Sequence, residues 1–189
     1  MSFKLHFFLL GSELPGRNTE QHDVFFTIEE SLEGTLQAMK NFWPEAGDRL
    51  HIDCWREVTA VNGHRINVVP RDFASATSND LSLFFINLGG YRPYEFEEYH
   101  YKELIVAKDK TEAIEISKET VFYKHTCFKG AESHIDDKFG IDVDDIYNIE
   151  EILPEEIKDK FAISITKADK LEEDELHIGY VTLAKLRKM

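Results

Sequence analysis

The sequence predicts an α+β protein built of two tandem ββαββ-like repeats related by a pseudo-two-fold axis, with mixed or antiparallel sheet and helices packed on it. Three observations carry this. The opening run Phe3-Lys-Leu-His-Phe-Phe-Leu-Leu-Gly11 returns without a gap as Leu81-Ser-Leu-Phe-Phe-Ile-Asn-Leu-Gly89. The offset, 89 − 11 = 78, then pairs Pro15 with Pro93, Glu20 with Glu98 and His22 with His100. In each copy, two-residue alternation gives way to a helical stripe and then to further strand patterns.

The repeat sets the expected boundaries: a first unit at 1–70, a linker at 71–80, a second unit at 81–154 and an extension at 155–189 that completes the second unit. The first strand of each copy is apolar on both faces, as a central strand covered on both sides should be. The second alternates. His22, Val24, Phe26 and Ile28 share one face, as do His100, Lys102, Leu104 and Val106. Ser31 caps a helix whose Leu32, Leu36, Met39 and Trp43 form one stripe. In the second copy Asp109 and Glu112 have capping-box spacing.

After the first helix, 50–55 reads as a strand, and 58–69 as a hairpin turning at Asn62-Gly63. Small insertions then shift the register. They set Phe42-Trp43 opposite Phe122-Tyr123, and His51-Ile52-Asp53 opposite His134-Ile135-Asp136. The second copy has no glycine at its hairpin position, and 142–156 includes helix in one reading. Two last apolar runs, 161–165 and 177–186, flank a charged stretch at 170–175 that reads as an exposed loop.

Composition narrows the function. The chain has 189 residues, 42% of them hydrophobic, enough for a sizeable core. Its net charge of −14 disfavours partners that must be met with clustered Lys and Arg, namely nucleic acid and anionic membranes. Two cysteines, Cys54 and Cys127, make no disulfide framework and suit a reducing, cytoplasmic setting. The apolar start imitates a signal peptide, but its recurrence at 81–89 marks it as structure, and no run is long enough for a membrane helix.

The residues Leu-His-Phe-Phe-Leu-Leu-Gly11, followed by Gly-Arg17-Asn-x-Glu20-x-His22-Asp23, resemble the bacterial family called Domain of Unknown Function 1543, whose short unit occurs once or twice per chain. The likeness runs over 3–70, is fainter over 81–154 and ends at Pro154. The second copy departs from it, with Glu95 and Phe96 for Arg17 and Asn18, and Tyr101 for Asp23. The resemblance implies a bacterial origin. It brings no activity and no cofactor.

Candidate chemistry lies in the repeated polar pairs. Glu20 and His22 share a strand face, as do Glu98 and His100, and the arrangement returns in His51/Asp53 and His134/Asp136. Imidazole and carboxylate are ligands for divalent metals and partners in general base catalysis. They are also common structural contacts, which a duplicated domain repeats equally well. Arg17 and Asn18, in a glycine-bearing loop, are candidates for a small anion, although no helix follows to offer its N-terminus. Gly11 and Gly89 read as positive-φ turn residues. Alternation sets Cys54 on the face opposite His51 and Asp53, as a buried thiol.

Tyr91, Tyr94, Phe96, Tyr99 and Tyr101 crowd one loop beside acidic residues and suit a self-association surface, or packing against the first copy. The leading reading is a non-enzymatic cytoplasmic interaction or small-ligand module. Its rival is a small enzyme or metal site on Glu20, His22, His51 and Asp53. Convergence of those four side chains in an open cleft favours the rival; burial with every polar atom paired favours the module.

Overall fold

The computed structural model describes residues 2–76, 80–91, 94–119 and 141–187. It is mixed α+β, with antiparallel sheets and few helices among the described residues. The chain forms two compact units, 1–77 together with 153–189, and 78–152.

In the first unit, β1 (Lys4–Ser12) pairs antiparallel with both β2 (Gln21–Glu29) and β3 (His51–Val58). This explains why β1 is apolar on both faces. Phe8 and Leu10 are buried on one side, and Phe7 stacks on Phe26 on the other, with centroids 4.5 Å apart. The Phe8 side is roofed by α1 (Thr35–Phe42), which buries Leu36 and Met39 against it. Full burial of each such side chain is worth about 1.5–3 kcal/mol. Ser31 does not cap α1. Its Oγ accepts from Gly34 N at 3.3 Å, closing a turn that delays the helix to Thr35.

The turn between β4 (Ala60–Val61) and β5 (His64–Pro70) falls at Asn62-Gly63. Both residues have positive φ, 33° and 79°, as a type I′ turn requires.

The extension at 155–189 completes the first unit rather than the second. Its strand β9 (Phe161–Lys167) pairs antiparallel with β5, and β10 (His177–Thr182) pairs with β3 as the edge of the order β10-β3-β1-β2. The short terminal helix at Leu183–Leu186 adds Leu183 and Leu186 to the core under α1. β5 and β3 would otherwise present unpaired edges, and the late strands cover them. The 170–175 stretch is not simply an exposed loop either. The Asp174 side chain is 3% exposed and accepts from Thr59 N and Oγ1 (3.1 and 2.6 Å) and from Ala60 N, bracing the turn out of β3.

In the second unit, β6 (Ser82–Tyr91) lies between β7 (Glu98–Ala107) and β8 (Ile141–Asn148), again antiparallel to both. The helix α2 (Lys110–Ser117) starts as its capping sequence predicts: Asp109 Oδ1 accepts from Glu112 N at 2.9 Å. Its Ala113 packs with Phe84, Ile86, Leu88 and Ile105. The expected helix near 142–156 is confined to Ile149–Ile152 and Glu155–Lys158. Phe122, Tyr123, Cys127, His134 and Asp136 lie outside the described residues.

Candidate metal centre

Three strands of the first unit bring four polar side chains together. Glu20 precedes β2 and His22 lies in it, two residues on. His51 and Asp53 lie in β3, and β1 runs between these strands. The ladders set His22 and His51 on either side of Gly11. Between Leu9 and Leu10 the β1–β3 ladder slips by one residue, so Leu9 faces Cys54, Leu10 faces Ile52, and Asp53 is the extra residue. Such a bulge re-aims a side chain, here a carboxylate. It also brings Cys54 opposite Leu9, and hence to the face of Gly11 and His51, where simple alternation sends it to the other side.

Gly11 is not a turn residue. It sits inside β1, outside the positive-φ set. A Cβ here would collide with His51 Nε2 and lie 2.7 Å from Asp53 Oδ2. Glycine is needed because the cluster lies directly over the backbone. Gly89 is equivalent: within β6, its Cβ would lie 2.8 Å from Asp144 Oδ1.

Each imidazole faces both carboxylates. His22 Nε2 lies 3.5 Å from Glu20 Oε2 and 3.2 Å from Asp53 Oδ2. His51 Nε2 lies 2.9 Å from Glu20 Oε1 and 3.6 Å from Asp53 Oδ1.

His51 is the informative member. Its side chain is 4% exposed, and its Nδ1 donates to Arg49 O at 2.9 Å. A carbonyl only accepts, so Nδ1 carries a proton, and Nε2 is the nitrogen turned toward the carboxylates. Both His51 Nε2 and Asp53 Oδ2 are buried without a hydrogen bond. Bare lone pairs on His51 Nε2 and on Glu20 Oε1, 2.9 Å apart, would repel, so a proton or a cation belongs between them. Tyr180 packs on the His51 ring, with centroids 4.5 Å apart, covering it from the β10 side.

Arg17 and Asn18 do not join the cluster. Both are exposed beyond a Leu14–Arg17 turn whose Gly16 has φ 79°. In the second unit Glu98 and His100 come together with a residue that sequence matching misses. Asp144 is a carboxylate beside them, with Oδ2 3.2 Å from His100 Nε2. The signal that finds it is the strand pattern Asp142-Val143-Asp144, polar–branched–acidic like His51-Ile52-Asp53. In the loop ahead of β7, Tyr94 and Phe96 are fully exposed.

The segment holding the first cluster is also the segment that matches a known family. The model described as Domain of Unknown Function (DUF1543) matches residues 17–68. That span contains Glu20, His22, His51 and Asp53 and ends in β5. No curated protein matches the sequence. Among solved structures, a protein Il1583 from Idiomarina loihiensis is similar with a TM-score of 0.62 at 18% identity, over 96% of this chain and 97% of that one. The likeness is one of fold. No helix among the described residues is long and apolar enough to cross a membrane.

Proposed function

We propose that the first unit is a divalent-cation-binding module, with Glu20, His22, His51 and Asp53 as ligands. The cation is then the small ligand of the module, and the two readings of the sequence become one. The observation that carries this is His51: a buried ring, oriented through Nδ1 by Arg49 O, with Nε2 facing carboxylate oxygens, the nearest of them Glu20 Oε1 at 2.9 Å. A backbone carbonyl behind a histidine is the usual support of a metal ligand, fixing the tautomer. Two imidazoles and two carboxylates suit a borderline ion such as Zn2+ or Fe2+. Metal analysis of full-length protein, loaded with Zn2+ and desalted, tests the proposal. We expect one retained equivalent in the wild type and none in His22→Ala or His51→Ala. A wild type that retains no zinc ends the proposal.

We also infer that the two units are copies of one duplicated bacterial module. Support comes from the ladders. Each unit has a central strand between two antiparallel partners. The slips fall between Leu9 and Leu10 and between Asn87 and Leu88, at the same offset, 87 − 9 = 88 − 10 = 78, as the glycines. An experimental structure with the bulges at unrelated positions would sink this inference.

A further inference from the structure

We propose that the second unit carries its own divalent-cation site, formed by Glu98, His100 and Asp144 and harder in character than the first. The proposal rests on reading the first cluster as a metal centre, and it extends that reading to residues with different chemistry.

The frame is the same. Gly89 pairs with His100 across β6–β7, as Gly11 pairs with His22. The β6–β8 ladder slips between Asn87 and Leu88, so Asp144 is the extra residue, as Asp53 is. The Asp144 carboxylate then occupies the space that the missing Gly89 side chain leaves. One ligand atom from each of Glu98, His100 and Asp144 lies within 4.8 Å of the others. His100 Nε2 is 3.2 Å from Asp144 Oδ2 and 3.9 Å from Glu98 Oε2.

The donors differ. Opposite Gly89, where the first unit has His51 opposite Gly11, the chain has Asp142. The buried imidazole is therefore absent from this position, and one histidine remains with two carboxylates. The three side chains are also open to water, at 38%, 40% and 29% exposure for His100, Glu98 and Asp144. A site with one imidazole, oxygen donors and room for water favours Mn2+ or Mg2+ over a softer ion, and it exchanges its ion readily. The first unit thus retains an ion, while the second samples one.

Manganese binding by the full-length protein separates the two sites. Protein loaded with Zn2+ and desalted is titrated with Mn2+ alone, and free Mn2+ is followed by its electron paramagnetic resonance signal. We expect one further equivalent in the wild type and in His22→Ala. In His100→Ala and in the isosteric Glu98→Gln, affinity should fall by at least the roughly 10–100-fold seen for loss of mere outer-shell partners, with retained zinc unchanged. Retained zinc without Mn2+ uptake, or uptake that survives both substitutions, overturns the second site and leaves the first standing. Mn2+ uptake lost in these variants, from a chain that never retains zinc, overturns the first site alone.

Discussion

A single methyl group on Gly11 tests the first site without touching a ligand. The added carbon meets His51 and Asp53 rather than solvent, so one of them must move. Overpacking of this kind costs about 1–3 kcal/mol, much of it borne by the cluster. Gly11→Ala should therefore bind Zn2+ at least about tenfold more weakly, tenfold corresponding to 1.4 kcal/mol, while the circular dichroism of the fold is kept. Isothermal titration reads this directly. Unchanged affinity would mean that the cluster is not held over the β1 backbone. His6 offers a separate test, of pH. Burial lowers its pKa below 6.5; the bond to Glu29 O and the Glu57 charge act upward, and Lys4 acts downward. The unfolded chain therefore takes up a proton at His6 before the folded one does. The stabilisation from the neutral ring is complete above about pH 6.5 and is lost as pH falls through the folded pKa. In metal-free protein, His6→Phe should flatten the acid side of the stability curve, measured by urea denaturation at successive pH values.

At the scale of elements, the turn out of β3 depends on one buried carboxylate. Asp174 accepts from two backbone N–H groups and one hydroxyl, and Arg56 lies 3.8 Å away. Asp174→Ala leaves those donors without their partner, at a cost of about 1–3 kcal/mol for each that stays dry. A lower midpoint in thermal melts is the expected result, with Asp174→Asn falling between the variant and the wild type. The parts of the elements that were legible are those written in neighbouring residues. The Asn62-Gly63 turn and the Asp109 cap depend on contacts a few positions apart, and both are where their sequence puts them. The common face of Glu20 and His22 likewise follows from strand period alone. The bulges are different. Nothing local in His-Ile-Asp-Cys announces that Asp53 will be the unpaired residue. That is settled across the ladder, by which registry buries Leu10 against Ile52 and leaves Gly11 under His51.

For the whole molecule, the first unit is assembled from both ends of the chain. Ending the protein at Ile152 removes β9 from β5, β10 from β3, and Leu183 and Leu186 from the core under α1. Hydrogen exchange on such a truncation should show β1–β3 losing protection while β6 and β7, within 78–152, retain it. Full protection of β1 in the shortened chain would contradict this two-ended assembly.

The sequence by itself determined the class of fold, the repeated glycine-ended strand, and the four residues of the first cluster, because alternation and spacing act over a few residues. Only the tertiary structure decided that the last strands belong with the first unit, that Asp144 stands beside His100, and that Gly11 is there to make room. The reason is physical. Closing a longer loop adds only about 0.6 kcal/mol per doubling of its length. A strand therefore pairs with whichever edge it covers best, and distance along the chain says little about which edge that is.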